Sequence, residues 1–246
     1  MTFRNRMASR AFTLIELMVV IGILSILVGV LAIAVFDVFG KSKEAETDLT
    51  IKTLDSGLKR FNDHMKFFPP GNLYKLTSGY MATGTVIMDP NSTNTGIETL
   101  VMALRSQSIE GGRKIDNEFL QTYQSNVDND AIQENFANVE GALKLFEIRD
   151  GWGHPLIYVN LDEARNDPLM LATPMAVTNA EGAIQQIDLN KLLEYIVDPE
   201  TKISAARSWC IWSLGEDGIN QYGRGDDVTS WPKIDADLPE EPAEEE

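Results

Sequence analysis

The residue with the most demanding chemistry is Glu16, a carboxylate that opens onto Leu17 to Phe36, a stretch without one charged side chain. A carboxylate in an apolar span costs about 2–3 kcal/mol or more at a bilayer centre and less near its surface. Glu16 therefore needs a cationic partner, or a place near the headgroups where it complements a helix N-terminus. A second acidic group, Asp217, Asp226 and Asp227, lies among Gly215, Gly218, Gly223 and Gly225, and a solvated acidic turn is one reading of it. Asn126, Asp128 and Asp130 imitate the start of an EF-hand, but Ala131 stands where that loop needs Gly and Ala137 where it needs a bidentate Glu. Arg224-Gly225-Asp226 spells an adhesion tripeptide, which inside this acidic loop reads as coincidence. The only histidines are His64 and His154, and the chain has no H-E-x-x-H, G-x-S-x-G or Walker loop, so no catalytic constellation is visible. The chain reads as a non-enzyme.

The elements that must position these residues begin with the N-terminus. Residues 1–11 carry Arg4, Arg6 and Arg10 and no acid. An apolar run of about 20 residues follows, which at ~1.5 Å per residue matches a ~30 Å hydrocarbon core. The positive-inside rule keeps the arginines in the cytoplasm and exports everything after Phe39. No small-residue secretory cleavage site follows the run; the small residue, Ala11, precedes it. Beyond Lys41, Ile51, Leu54, Leu58, Phe61, Met65 and Phe68 recur in steps of three and four, one stripe of a helix, until Pro69-Pro70-Gly71 ends it. One helix from about Thr13 to about Phe67 is predicted. Only Gly22, Ser25, Gly29 and Gly40 are placed to loosen its apolar half.

With 246 residues and 43% apolar content, the chain holds one ordinary domain besides a membrane segment. A net charge of −16 argues against a nucleic-acid groove. The lone Cys210, between Trp209 and Ile211, excludes an internal disulfide and reads as a buried strand thiol. A helix is predicted at Ile97 to Arg105 and another at Asp188 to Val197. Strand signals fall at Leu156 to Val159, weakly at Leu169 to Ala172, and at Trp209 to Ser213. The sum is an α+β domain in which a small antiparallel sheet lies against the amphipathic half of the long helix. The parts are a leader at 1–11, an apolar helix at 12–40, its amphipathic continuation at 41–68, and a globular domain at 69–237 with insertions near 106–142 and 160–207. The acidic, proline-broken residues 238–246 are expected to be disordered.

Three stretches carry a family resemblance. Ala11 followed by Phe12-Thr13-Leu14-Ile15-Glu16-Leu17 resembles the processing site of type IV prepilins and type II secretion pseudopilins. Asp150-Gly151-Trp152-Gly153-His154-Pro155, then Tyr158, resembles the D-x-W-G-x-P-x-x-Y turn and strand of the major pseudopilins of type II secretion. Ser213-Leu214-Gly215-Glu216-Asp217-Gly218, then Asp226-Asp227-Val228 and Trp231, resembles their C-terminal loop. The resemblance covers about residues 8–75 and 148–231, without what lies between them and without the divergent stretch from about Asn160 to Arg207. It departs at Ala11, where the family usually has Gly, and at Ile33 and Ala34, where many members carry a helix proline.

What the resemblance implies is a pilin-like fold, cut by a prepilin peptidase between Ala11 and Phe12 and methylated at Phe12. Glu16 would pair with the new amino terminus of Phe12 on a neighbouring subunit and set register as a helical homo-oligomer leaves the lipid bilayer. The product would be the periplasmic pseudopilus of a type II protein secretion system, built on an inner-membrane assembly platform together with minor pseudopilins. The family's loop binds Ca²⁺, which here implies Asp217, Asp226 or Asp227 and the carbonyl of Leu214 as ligands, a set that suits a hard cation. His154 falls on a variable position of the turn pattern and is expected to face solvent. The alternatives are a type IV pilin for adhesion, motility or DNA uptake, and a membrane-anchored calcium-binding domain that never polymerises.

Overall fold

The computed structural model describes residues 14–80, 91–105, 124–130, 145–172, 175–206 and 208–234. The processing residues Ala11 and Phe12, most of the 106–142 insertion and the acidic tail at 238–246 lie outside them. The chain divides into two compact units, the first closing at Ser42 and the second opening at Lys43.

Helix α1 runs Leu14–Met65. In the first unit its side chains from Leu14 to Leu31 are exposed throughout, and this window is long and apolar enough to cross a membrane. Ser25 returns its hydroxyl to the Ile21 carbonyl at 2.8 Å, so it leaves no unsatisfied donor on the apolar surface. In the second unit the stripe is buried, with Ile51, Leu54, Leu58 and Phe61 each at most 2% exposed. The helix stops before the prolines are reached. Lys66 takes a left-handed φ of 65° and donates its N–H to the Asn62 carbonyl at 2.8 Å, an αL cap closed without glycine.

Helix α2 (Leu73–Tyr80) starts where the Asn72 side chain accepts the Lys75 N–H at 2.8 Å. Helix α3 (Thr95–Arg105) is buried on every side from Gly96 to Leu104, not only on the face that carries Ile97, Leu100, Val101 and Leu104. Gly96 faces strand β3 (Ile157–Asn160) so closely that a Cβ would lie 2.1 Å from the Tyr158 carbonyl oxygen.

The other strands are β1 (Gln124–Ser125), β2 (Glu147–Ile148), β4 (Met175–Thr178), β5 (Ile184–Ile187) and β6 (Trp209–Trp212). They form three separate antiparallel pairs, β1–β2, β3–β6 and β4–β5, rather than one sheet. The β3–β6 pair is central. Its alternating side chains divide between two cores: Tyr158 and Ile211 join α1 and α3, whereas Ile157, Val159, Cys210 and Trp212 join Leu189, Leu192 and Val177. A strand pair covered on both faces reads as a continuous apolar run, which is how both strands stand in the sequence. Residues 228–230 add alongside β6, through Ser213 N–H to the Val228 carbonyl at 2.9 Å and Ser230 N–H to the Ile211 carbonyl at 2.8 Å.

Helix α4 (Leu161–Asn166) is capped by Asn160, and α6 (Leu189–Tyr195) by Asp188. Between them the weak strand signal at Leu169 to Ala172 is a correction: Pro168–Ala172 is a short helix, α5. Proline fits the first turn of a helix, where its missing N–H costs nothing, and a run of four apolar residues does not itself choose between the two states.

Candidate functional site

Glu16 lies in the first turn of α1, within the exposed apolar window, where a carboxylate meets the positive end of the helix dipole. This places the acid at the entrance of the span and not in its middle. The acidic loop lies at the other end of the chain, in the second unit.

That loop is rooted in the fully buried Ser213 and Leu214. The Ser213 hydroxyl accepts the N–H groups of Gly215 (3.1 Å) and Val228 (3.3 Å), so it ties the loop's two ends together. Gly215 has φ +66°, and a Cβ on it would come 2.5 Å from Asp226 Cγ; no side chain fits there. Asp226 Oδ2 accepts the N–H groups of Glu216 (2.6 Å) and Asp217 (3.0 Å). Asp227 is fully buried, and its Oδ2 accepts those of Gln221 (3.2 Å) and Gly223 (2.8 Å). Both carboxylates keep one buried oxygen, Oδ1, with no hydrogen bond. Burial pushes the Asp227 carboxyl up to about 8 against those two N–H groups, with Asp226 and Asp217 adding repulsion.

The donor chemistry fits a hard cation: an orphaned carboxylate oxygen at full burial is the kind of group an ion satisfies. Both of the alternative ligands, Asp226 and Asp227, face this role. Asp217 stands at the exposed rim, its Oδ1 on the Ile219 N–H (2.8 Å) and its Oδ2 on Gln221 Nε2 (3.0 Å). The three carboxylates do not converge on one point. Among the described residues the trio whose oxygens all lie within 4.8 Å of one another is a different one, Glu98, Asp128 and Glu147.

No sequence motif marks that trio, because its members come from three distant segments and Asp128 stands out only as part of the imitation EF-hand. It is held by side-chain amides: Asn94 Nδ2 reaches Asp128 Oδ2 and Glu147 Oε1, both at 3.3 Å, and Asn91 Nδ2 reaches Asp128 at 3.0 Å. Burial pushes the Glu147 carboxyl up to about 7, against the Val127 N–H and with Asp128 adding to the rise. The N–H of Val127 sits 3.1 Å from Glu147 Oε2.

The turn at Asp150 brings together what its pattern promised, with one correction. Asp150 Oδ1 accepts the N–H groups of Trp152 and His154, both at 2.9 Å, and Gly151 N–H donates to Thr47 Oγ1 on α1 at 2.9 Å. His154 does not face solvent; it is 3% exposed. Its Nδ1 accepts the Ala180 N–H at 2.9 Å, and its ring covers Gly218 in the acidic loop. Those partners are remote in sequence, so no local signal marks the burial. Cys210 is buried as expected, and burial pushes its thiol up. The guanidinium of Arg224 stacks over the Tyr195 ring at 4.4 Å, inside the fold's own packing.

Residues 6–32 match the model of the prokaryotic N-terminal methylation motif. The chain thus carries a type IV pilin-like prepilin signal, spanning Ala11, Phe12 and Glu16, continuous with an apolar helix. No curated protein and no solved structure matches the chain.

Proposed function

We propose that the chain is a structural subunit that polymerises into the periplasmic pseudopilus of a type II secretion system after prepilin peptidase cuts between Ala11 and Phe12. The observation that carries this reading is the methylation motif at 6–32 running into an apolar helix whose Leu14–Leu31 surface is exposed. Such a helix has two solvents, lipid before assembly and the helices of other subunits afterwards. Glu16 gives the packed state its register by meeting the amino terminus of Phe12 on the next subunit. The subunit is anchored in the inner membrane with its N-terminus cytoplasmic and its second unit periplasmic, and it performs no catalysis of its own.

The choice of secretion over a pilus is supported by the D-x-W-G-x-P turn docked on Thr47 and by the S-L-G-x-D-G loop with its orphaned acid. In this reading Asp217, either Asp226 or Asp227, and the Leu214 carbonyl hold Ca²⁺, which supplies the positive charge that the buried carboxylates lack. Asp226 and Asp227 both already have their second oxygens fixed by backbone N–H groups.

Crosslinking along α1 in membranes tests polymerisation. A ladder of multimers in wild type that is lost in Glu16→Ala supports it, and no Glu16-dependent ladder leaves the monomeric calcium-binding anchor. Deleting the gene separates the two filament classes. Loss of export of folded proteins with motility and DNA uptake intact supports secretion, and the reverse pattern makes the chain a pilin.

A further inference from the structure

The acidic loop has two sides, and they are held by different parts of the chain. Gln221 and Gly223 turn their N–H groups to the Asp227 carboxylate. Gly218, Asn220, Tyr222 and Arg224 instead take contacts from 185–195, a segment within the insertion that the family resemblance does not cover. Gln185 Nε2 donates to the Gly218 carbonyl while its Oε1 accepts the Asn220 N–H at 2.8 Å. Its side-chain amide thus bonds the loop as a neighbouring peptide unit would, with Ile219 between the two bonds. Asp188 N–H donates to the Tyr222 hydroxyl at 3.1 Å, and Arg224 lies on the Tyr195 ring. The hairpin that carries Gln185 is itself fixed: β4 bridges to Thr93, and the Thr178 N–H donates to Asn94 Oδ1 at 3.0 Å at the start of α3.

We infer that Gln185 is a positioning residue for the acidic loop, clamping residues 218–220 so that Asp217, Asp226 and Asp227 are ordered before any cation arrives. The identity of that cation as Ca²⁺ rests on the proposed function; the clamp does not. The Ile219 N–H that Asp217 Oδ1 accepts belongs to the residue the clamp spans, so releasing Gln185 frees the ligand nearest the rim. A preordered loop loses less conformational freedom on binding, and its affinity rises accordingly.

The test uses the full chain in detergent micelles as wild type, Gln185→Ala and Gln185→Glu; the last keeps the acceptor for Asn220 but not the donor to Gly218. Amide hydrogen exchange over 216–224 is read in chelator and in saturating CaCl₂, and Ca²⁺ affinity by calorimetric titration. Wild type is expected to protect the loop in chelator. Gln185→Ala should lose that protection by about tenfold, recover it in saturating Ca²⁺, and bind Ca²⁺ about tenfold more weakly, with Gln185→Glu between the two. Equal exchange of wild type and Gln185→Ala in chelator overturns the clamp. So does a loss of protection that extends to β3 and β6, since the residue would then support the fold at large. Unchanged affinity despite a loosened loop overturns its role toward the ion. If wild type does not bind Ca²⁺, the calcium reading fails, while exchange in chelator still decides the clamp.

Discussion

Glu147 and Asp227 are carboxyls that the fold keeps partly protonated near neutral pH, and each makes stability depend on conditions in its own way. Folding raises the Glu147 carboxyl from an ordinary 4.5 to about 7, so the native chain retains a proton that the unfolded chain releases. The stability this contributes is complete below about pH 4.5 and is lost as pH rises through about 7. Melting curves at pH 5 and pH 8 should therefore show a smaller fall in Glu147→Gln than in wild type; an equal fall would mean the acid is not strained. Asp227 differs because a cation can take the proton's place. In Asp227→Asn, added Ca²⁺ should no longer raise the melting temperature, whereas in chelator at pH 8 the variant should melt no lower than wild type, because the buried charge, and with it the repulsion from Asp226 and Asp217, is gone.

At the scale of elements, α1 packs tightly against the Asp150 turn, where a Cβ on Gly151 would lie 2.5 Å from the Lys43 carbonyl oxygen. Thr47→Val removes the acceptor of the Gly151 N–H and keeps the shape, so it should cost about 1–3 kcal/mol in denaturant melts. A cost within error would show that water replaces the hydroxyl. The amphipathic half of the long helix and α6 were legible in the sequence because period and burial agree in them, and α3 and the β3–β6 strands because their apolar residues mark them even though burial covers more than one face. Pro168–Ala172 was not, since its apolar run is too short to have a period, and Pro168 was the better signal. The expected antiparallel pairing is present, divided among three pairs because strands of two to four residues fix a pair but not what lies beside it. Of the candidate site, the glycine and aspartate pattern marked the loop. The residues that hold it, His154, Gln185 and Asp188, were illegible because each acts across a long gap in the chain.

For the molecule as a whole, the two units make separate predictions. Glu16→Ala should insert and be processed normally yet give few multimers on crosslinking; normal assembly would remove Glu16 from the register mechanism. The second unit should answer to calcium: at about 100 times Kd, binding to the folded state alone adds about 2.7 kcal/mol. This corresponds to a rise of about 5–10 °C in melting temperature for a chain of this size. A thermal scan of the full chain with and without chelator reads it directly. Cys210 adds a practical consequence. It is the only thiol in the chain, it is fully buried in β6 between the two cores, and burial holds it in the protonated, unreactive form. A maleimide dye therefore finds no target on the native subunit and one target on an unfolded one. The rate at which wild-type protein becomes fluorescent under native conditions is a clock for global opening, and reporter thiols introduced elsewhere can be labelled with the native residue left in place.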